Sequence, residues 1–180
     1  MVVFQAKVNA QSTGERALGS QTYFTRLTQT FVNWLSRPTA EGSLYEVDMR
    51  LRPDGDKGAV AVGLERFTEY YRKDAWVWEK LALAKARVIT DPAQAPAVVT
   101  VLTEAIYKTT QHPIDLPIVG NAVFDMRRRL RDAYGSATAL QLRKLPGGMA
   151  ELDLLVQGLR LVNADLFTGT GQDQIEILST

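Results

Sequence analysis

Cysteine is absent from the 180 residues, which excludes disulfides, thiolate metal ligands and a cysteine nucleophile. Histidine occurs once, as His112 beside Pro113. A loop role is the default there, because a lone imidazole makes a poor metal site. Long apolar runs are also missing: none approaches the ~20 residues needed to span a bilayer. The opening Met1-Val-Val-Phe-Gln-Ala-Lys is apolar for only four residues, too short for the core of a signal peptide. No membrane partner is therefore expected, and the cytoplasm is the expected location. Charge of one sign is lacking too. A formal net charge of +1 gives no general argument for a nucleic-acid partner, so any electrostatic reading has to rest on local clusters.

What remains is ordinary for a globular protein: 46% hydrophobic and 23% charged residues, in a chain long enough for one domain and a small annex. Residues 2–8 read as a strand. Val2, Val3 and Phe4 stand at the very start, where a strand would lack its lead-in, and this suggests a truncated start. Residues 9–19 are loop-like, and Ser20 is a fair N-cap. Phe24, Leu27, Phe31, Trp34 and Leu35 follow at helical spacing over 21–36. Residues 43–52 alternate: Tyr45, Val47, Met49 and Leu51 are apolar, while Glu46, Asp48, Arg50 and Arg52 are charged. A period of two predicts a strand with one face in the core. Pro53-Asp-Gly-Asp-Lys-Gly58 is a polar turn, and 59–62 is extended. Helices are predicted near 63–73 and 74–86, then over 92–109, 115–134 and 148–164, with Asp91-Pro92 as a helix start. Leu140-Gln-Leu-Arg143 reads as a short strand, and Ile175-Glu-Ile-Leu178 as the first turn of a further helix. The pattern is thus α+β, mixed up to about residue 90 and all-helical from 91 to 180.

On the 43–52 strand, alternate side chains share a face, so Asp48, Arg50 and Arg52 would project together beside Glu46. A carboxylate and two guanidiniums on a rigid element suit phosphoryl chemistry. The carboxylate can hold Mg²⁺, and arginine forks grip phosphate. Spacing alone leaves this open against a solvent-facing amphipathic strand with cross-strand ion pairs.

The stretch Leu44-Tyr-Glu-Val-Asp-Met-Arg-Leu-Arg-Pro53, followed by Asp-Gly-Asp-Lys-Gly58, resembles a segment of the glutamine synthetase adenylyltransferases. So do Glu65-Arg-Phe-Thr-Glu-Tyr-Tyr71 and Ala75-Trp-Val-Trp-Glu-Lys-Leu-Ala-Leu-Ala-Lys-Ala-Arg-Val88. Pro146-Gly-Gly-Met-Ala-Glu-Leu-Asp-Leu154 is similar to the family's Gly-Gly-x-x-Asp-x-Glu-Phe segment, with the acids exchanged in type at Glu151 and Asp153. The first block is highly specific, and the wording is most like the adenylylating, C-terminal half of that bifunctional family.

The resemblance implies a truncated nucleotidyltransferase (polymerase-beta-like) mixed sheet over 1–90. A helical domain over 91–180 would begin the region that follows the catalytic domain. It implies transfer of AMP from ATP to a glutamine synthetase tyrosine, with Mg²⁺ and ATP in the intact enzyme. Glutamine synthetase and the PII signal protein would be the partners. It makes Asp48 the catalytic, metal-binding acid, and Arg50 and Arg52 phosphate contacts or buttresses of the strand. From the residues alone, Lys57 is within reach of a triphosphate across its turn, against plain surface charge, and Glu151 and Asp153 follow the Pro146-Gly-Gly148 turn as acids of a domain junction. The family's Gly-Ser-x-x-Asp-x-Asp pair is not in this sequence. The chain alone is therefore expected to be inactive and to bind no cofactor. The alternative is a degenerate domain serving as a helical interaction module for glutamine synthetase or the PII protein.

Other features have plainer readings. Asp54 and Asp56 belong to turn chemistry, and Trp76, Trp78 and Glu79 to core packing of a helix. Asp125-Met-Arg-Arg-Arg-Leu-Arg131 is the one basic cluster. A solvated helix face is the commoner use of such a cluster, so no nucleic-acid partner is expected.

Overall fold

The structure is a computed structural model that describes residues 1–5, 9, 11–43, 45–91, 93–110, 113–135 and 141–163. The elements are β1 (Val3–Phe4), α1 (Ser20–Ser36), β2 (Pro38–Thr39), β3 (Gly42–Ser43), β4 (Ala61–Val62), α2 (Leu64–Lys73), α3 (Val77–Leu83), α4 (Pro96–Thr110), α5 (Leu116–Tyr134) and α6 (Met149–Val162). Two compact units divide the chain, Met1–Asp74 and Ala75–Thr180. Helices and two small sheets make up the described residues, in keeping with an α+β chain.

In the first unit β1 pairs in parallel with β4, Val3 opposite Ala61 and Phe4 opposite Val62, and Gln5 N–H continues the ladder to the Val62 carbonyl at 3.0 Å. The ladder is short, so side-chain burial carries the stability. Phe4 meets Phe67 edge-on, with ring centroids 5.0 Å apart, and Phe67 packs on Tyr71 at 4.6 Å. Phe67 and Tyr71 are fully buried, and each such side chain contributes about 1.5–3 kcal/mol of transfer free energy. Phe67, Tyr70 and Tyr71 lie on the inner face of α2, as helical spacing requires.

Helix α1 forms where the apolar periodicity places it, but its buried side differs from the predicted one. Thr28 is the buried residue, while Leu27, Phe31 and Trp34 are exposed. Its N-cap is Gly19, without a side-chain cap, and Ser20 is already helical.

The second unit is helical. Helices α5 and α6 pack together, α3 lies against both, and α4 touches α3. The core contains Leu81, Ala84, Val119, Leu154 and Leu161, with Val123, Met126 and Leu130 packed around it. Ile114 N–H donates to the Leu161 carbonyl at 2.9 Å, and an Arg160 amino group donates to the Ala84 carbonyl. These contacts explain why α3 groups with the helices after it. The predicted 74–86 helix is shorter, Val77–Leu83. Helix α4 begins at Pro96, because Asp91 first closes a local turn, its Oδ1 accepting from Ala93 N–H at 2.9 Å. Residues 141–144 form a turn, not the end of a strand. Leu140, Pro92, His112 and the 175–178 segment lie outside the described residues.

The clearest departure is the 43–52 strand. Residues 45–49 have no regular structure and 50–54 turn. The backbone donors account for it. Tyr45 N–H goes to the Leu35 carbonyl at the end of α1 (3.2 Å), Arg50 N–H goes to Asp48 Oδ1 (2.9 Å), and Arg52 N–H goes to the Met49 carbonyl (3.3 Å). A ladder needs those donors on a neighbouring strand, and here they close locally. Met49 is buried, yet Tyr45 is exposed, so the alternation does not define one clean inner face.

Candidate functional site: the 45–58 segment

The segment runs from the end of the β2–β3 hairpin into a tight turn. Residues Gly55–Lys57 make one 3₁₀ turn, and Asp54 before it adopts a left-handed conformation, φ 63°. Gly58 is needed where it stands, since a Cβ there would lie 1.8 Å from the Pro53 carbonyl oxygen. Under the turn, the Tyr71 hydroxyl donates to the Leu51 carbonyl at 2.8 Å, tying the segment to α2.

Arg50 and Arg52, predicted to share a face, have opposite fates. Arg52 points inward, its side chain 10% exposed. Its guanidinium donates to the carbonyls of Met49 (3.0 Å), Asp56 (3.3 Å) and Gly58 (3.4 Å). The Asp56 carboxylate is 3.9 Å away. Arg52 thus fills the turn. Arg50 points outward and grips Asp48: Nη2 lies 2.6 Å from Oδ2, and Nε lies 3.0 Å from each carboxylate oxygen. Both side chains are open to solvent, 72% for Arg50 and 55% for Asp48. The Arg50 side chain, helped by the Arg50 backbone N–H, holds the Asp48 carboxyl well below its ordinary value, at about 2. The amino group of Met1 donates to the Asp48 carbonyl.

Lys57 is exposed on the 3₁₀ turn, and Asp54 pairs with Arg66 of α2 at 2.8 Å. The structure therefore brings Asp48 and Arg50 together and turns Arg52 away from them.

Asp48 has the donor chemistry for Mg²⁺, but Arg50 engages both its oxygens. Among the described residues no three His, Cys, Asp or Glu side chains converge. The donor set does not fit a bound Mg²⁺ by itself. An open hollow of about 620 Å³ lies elsewhere in this unit, lined by Gln11, Glu15, Arg16, Tyr23 and Phe24 among others. None of the predicted site residues lines it.

Glu151 and Asp153 belong to α6 of the second unit and separate from each other. Asp153 faces solvent. Glu151 is buried, with its side chain 9% exposed. It accepts from Arg131 Nε at 2.7 Å, Arg127 Nε at 2.7 Å and Gly147 N–H at 3.1 Å. Arg131 first, then Arg127 and Gly147, hold its carboxyl at about 2, against the raising effect of burial. The basic cluster is thus partly committed to α6. Arg127 and Arg131, four apart and so on one helix face, are the residues that do it, and that spacing was the available signal. Trp76 is 69% exposed and Trp78 is also exposed, so neither is a core residue. Glu79 is buried and accepts from Trp76 N–H at 2.8 Å, closing the start of α3. No helix among the described residues is long and apolar enough to cross a membrane.

Residues 1–100 match the family model described as glutamate-ammonia ligase adenylyltransferase. Curated relatives carry the name bifunctional glutamine synthetase adenylyltransferase/adenylyl-removing enzyme. The one from Rhodopseudomonas palustris (strain TIE-1) is 40% identical over 153 residues, covering 85% of this chain and 15% of its own. That of Bradyrhizobium sp. (strain BTAi1) is 39% identical over 153 residues with the same coverage. That of Brucella suis biovar 1 (strain 1330) is 40% identical over 147 residues, covering 82% of this chain and 15% of its own. The chain spans about 15% of the length of the curated relatives it matches.

Proposed function

This chain belongs to the glutamate-ammonia ligase adenylyltransferase family, and on that premise we propose that it is one part of a regulator of glutamine synthetase. The regulator would transfer AMP from ATP to a tyrosine of glutamine synthetase, in the manner of the adenylylating half of the bifunctional relatives. In this reading residues 1–90 contribute a portion of a nucleotidyltransferase domain in the cytoplasm, and residues 91–180 begin the helical region that follows it. Asp48 is its one contributed metal-binding acid, to be completed by the acids of a Gly-Ser-x-x-Asp-x-Asp motif that this sequence does not contain. Lys57 is the outward cation available to a triphosphate, and Arg50 would join it on leaving Asp48. Arg52 serves by shaping the turn.

The observation that carries the reading is the 45–58 segment. The residues of the family-like motif are arranged there with Asp48 and Arg50 outward on a turn fixed from within by Arg52 and Tyr71. Mg²⁺ and ATP belong to the intact assembly, and the 180-residue chain is inactive by itself because one acid cannot replace three. The test is incubation of the purified chain with glutamine synthetase, Mg²⁺ and ATP labelled in its α-phosphate. No label should enter glutamine synthetase, and labelling above background would overturn the claim of inactivity.

A second reading draws on the second unit. Met149, Leu152, Leu155 and Leu159 are exposed along α6, opposite the face that packs on α3 and α5. A helical module binding glutamine synthetase or the PII signal protein would use such a surface. Co-precipitation of either protein that survives Asp48→Ala but is lost on Leu152→Glu and Leu155→Glu would favour it over the catalytic reading.

A further inference from the structure

Helix α1 carries one charged residue, Arg26, in its 17 positions. It buries Thr28 and leaves Tyr23, Leu27, Phe31 and Trp34 exposed, Trp34 most of all at 73%. Steps of four, four and three residues keep those four side chains within about 80° of the helix circumference, in a stripe about 16 Å long. Thr30 and Asn33 border the stripe, both exposed and neither charged. A solvated helix face carries charged and polar residues opposite its core side. Aromatic side chains with no charge among them are instead the composition of an interface centre. The stripe also ends at a socket, since Tyr23 and Phe24 line the open hollow of about 620 Å³ at the start of the helix.

We infer that α1 is a docking face for a second copy of this chain, joined antiparallel about a twofold axis. Charge and shape select this occupant. A partner surface of either sign would find nothing on the stripe to pair with. A second copy brings the same charge-free face, so the symmetric contact repeats no repulsion. Centred between Leu27 and Phe31, two antiparallel α1 helices set Leu27 of each copy against Phe31 of the other. The same register carries Trp34 of each copy to the Tyr23 end of the other, where the hollow opens. Large apolar side chains bury about 150–250 Å² each, so four half-exposed ones offer roughly 300–500 Å² per copy and the pair removes roughly 600–1,000 Å². Stable interfaces bury about 1,200–2,000 Å², so this dimer is weak and reversible. The inference stands apart from the reading of Asp48 as a metal-binding acid.

The test is sedimentation of the 180-residue protein from about 10 μM to about 1 mM, over which the mean mass should rise from monomer toward dimer. Trp34→Ala should weaken association by at least about tenfold. Leu27→Glu and Phe31→Lys should each stay monomeric. An equimolar mixture of those two should recover the dimer, because antiparallel pairing sets Glu against Lys. Leu152→Glu/Leu155→Glu on α6 should associate as wild type does, and unchanged NMR signals of Phe67 and Tyr71 check the fold of every variant. A wild type that stays monomeric throughout would overturn the proposal. So would association that Leu27→Glu keeps and the α6 variant loses. A mixture that stays monomeric would overturn the antiparallel register.

Discussion

Two carboxylates in this chain, Asp48 and Glu151, are held at about 2 by arginine, and the resemblance between them ends there. Asp48 and Arg50 lie two residues apart on an open turn. Glu151 is buried on α6 and joined to Arg127 and Arg131, 24 and 20 residues earlier on α5. One pair fixes nothing beyond its own turn, whereas the other fastens two helices and the Gly147 backbone. A depressed acid therefore reports a nearby cation and says nothing of its role. The role follows from exposure and from what the partners are attached to.

The comparison is tested most severely at Glu151. Glu151→Ala leaves two arginines and the Gly147 N–H without their acceptor. Breaking a buried pair costs about 3–5 kcal/mol, and the arginines are close to half-exposed, so a loss nearer 1–3 kcal/mol is expected in urea unfolding. Next is the neighbouring turn. A Cβ at Gly148 would stand 2.2 Å from the Leu142 carbonyl oxygen, so Gly148→Ala should destabilise the second unit by about 1–3 kcal/mol, read as a lower thermal midpoint. Arg52→Ala in the first unit should cost about 1–2 kcal/mol. It should also shift the amide signals of 49–58, which a purely external phosphate contact would not do.

Acid comes after these. Glu151 has a folded value near 2 against an ordinary value of 4.5. Its contribution is complete above about pH 4.5 and is lost as pH falls from there toward 2. Glu151→Gln should flatten that part of the pH–stability curve. The smallest effect belongs to Asp48→Asn, which should leave the unfolding midpoint unmoved within error. A large loss there would erase the distinction between the two acids.

Much of the helical half was legible beforehand. The 3.6-residue spacing over 115–134 and 148–164 lies within a residue or two of α5 and α6, because long amphipathic periods leave few alternatives. The 43–52 segment was misread for the opposite reason. Alternation over so few residues predicts a strand only if neighbours supply a ladder, and Tyr45, Arg50 and Arg52 spend their N–H groups on Leu35, Asp48 and Met49. Of the candidate site, the spacing placed Asp48, Arg50 and Arg52 on one strand face, whereas Asp48 meets Arg50 through a local turn. The inward course of Arg52 could not be read from it, since it depends on carbonyls exposed only once the chain has turned. The partners of Glu151 sit on another helix: their four-residue spacing puts Arg127 and Arg131 on one face, but nothing local to either helix says that this face meets Glu151.

Arg52 also bears on the order in which the chain takes shape. Its three carbonyl acceptors lie three, four and six residues away, so closing that ring requires almost no search through the unfolded chain. Loops of this size close in about 10–100 ns, far sooner than β1 can find β4 across some sixty residues. The knuckle at 49–58 is therefore a candidate seed of the first unit, and slowing of refolding by Arg52→Ala would mark it as one.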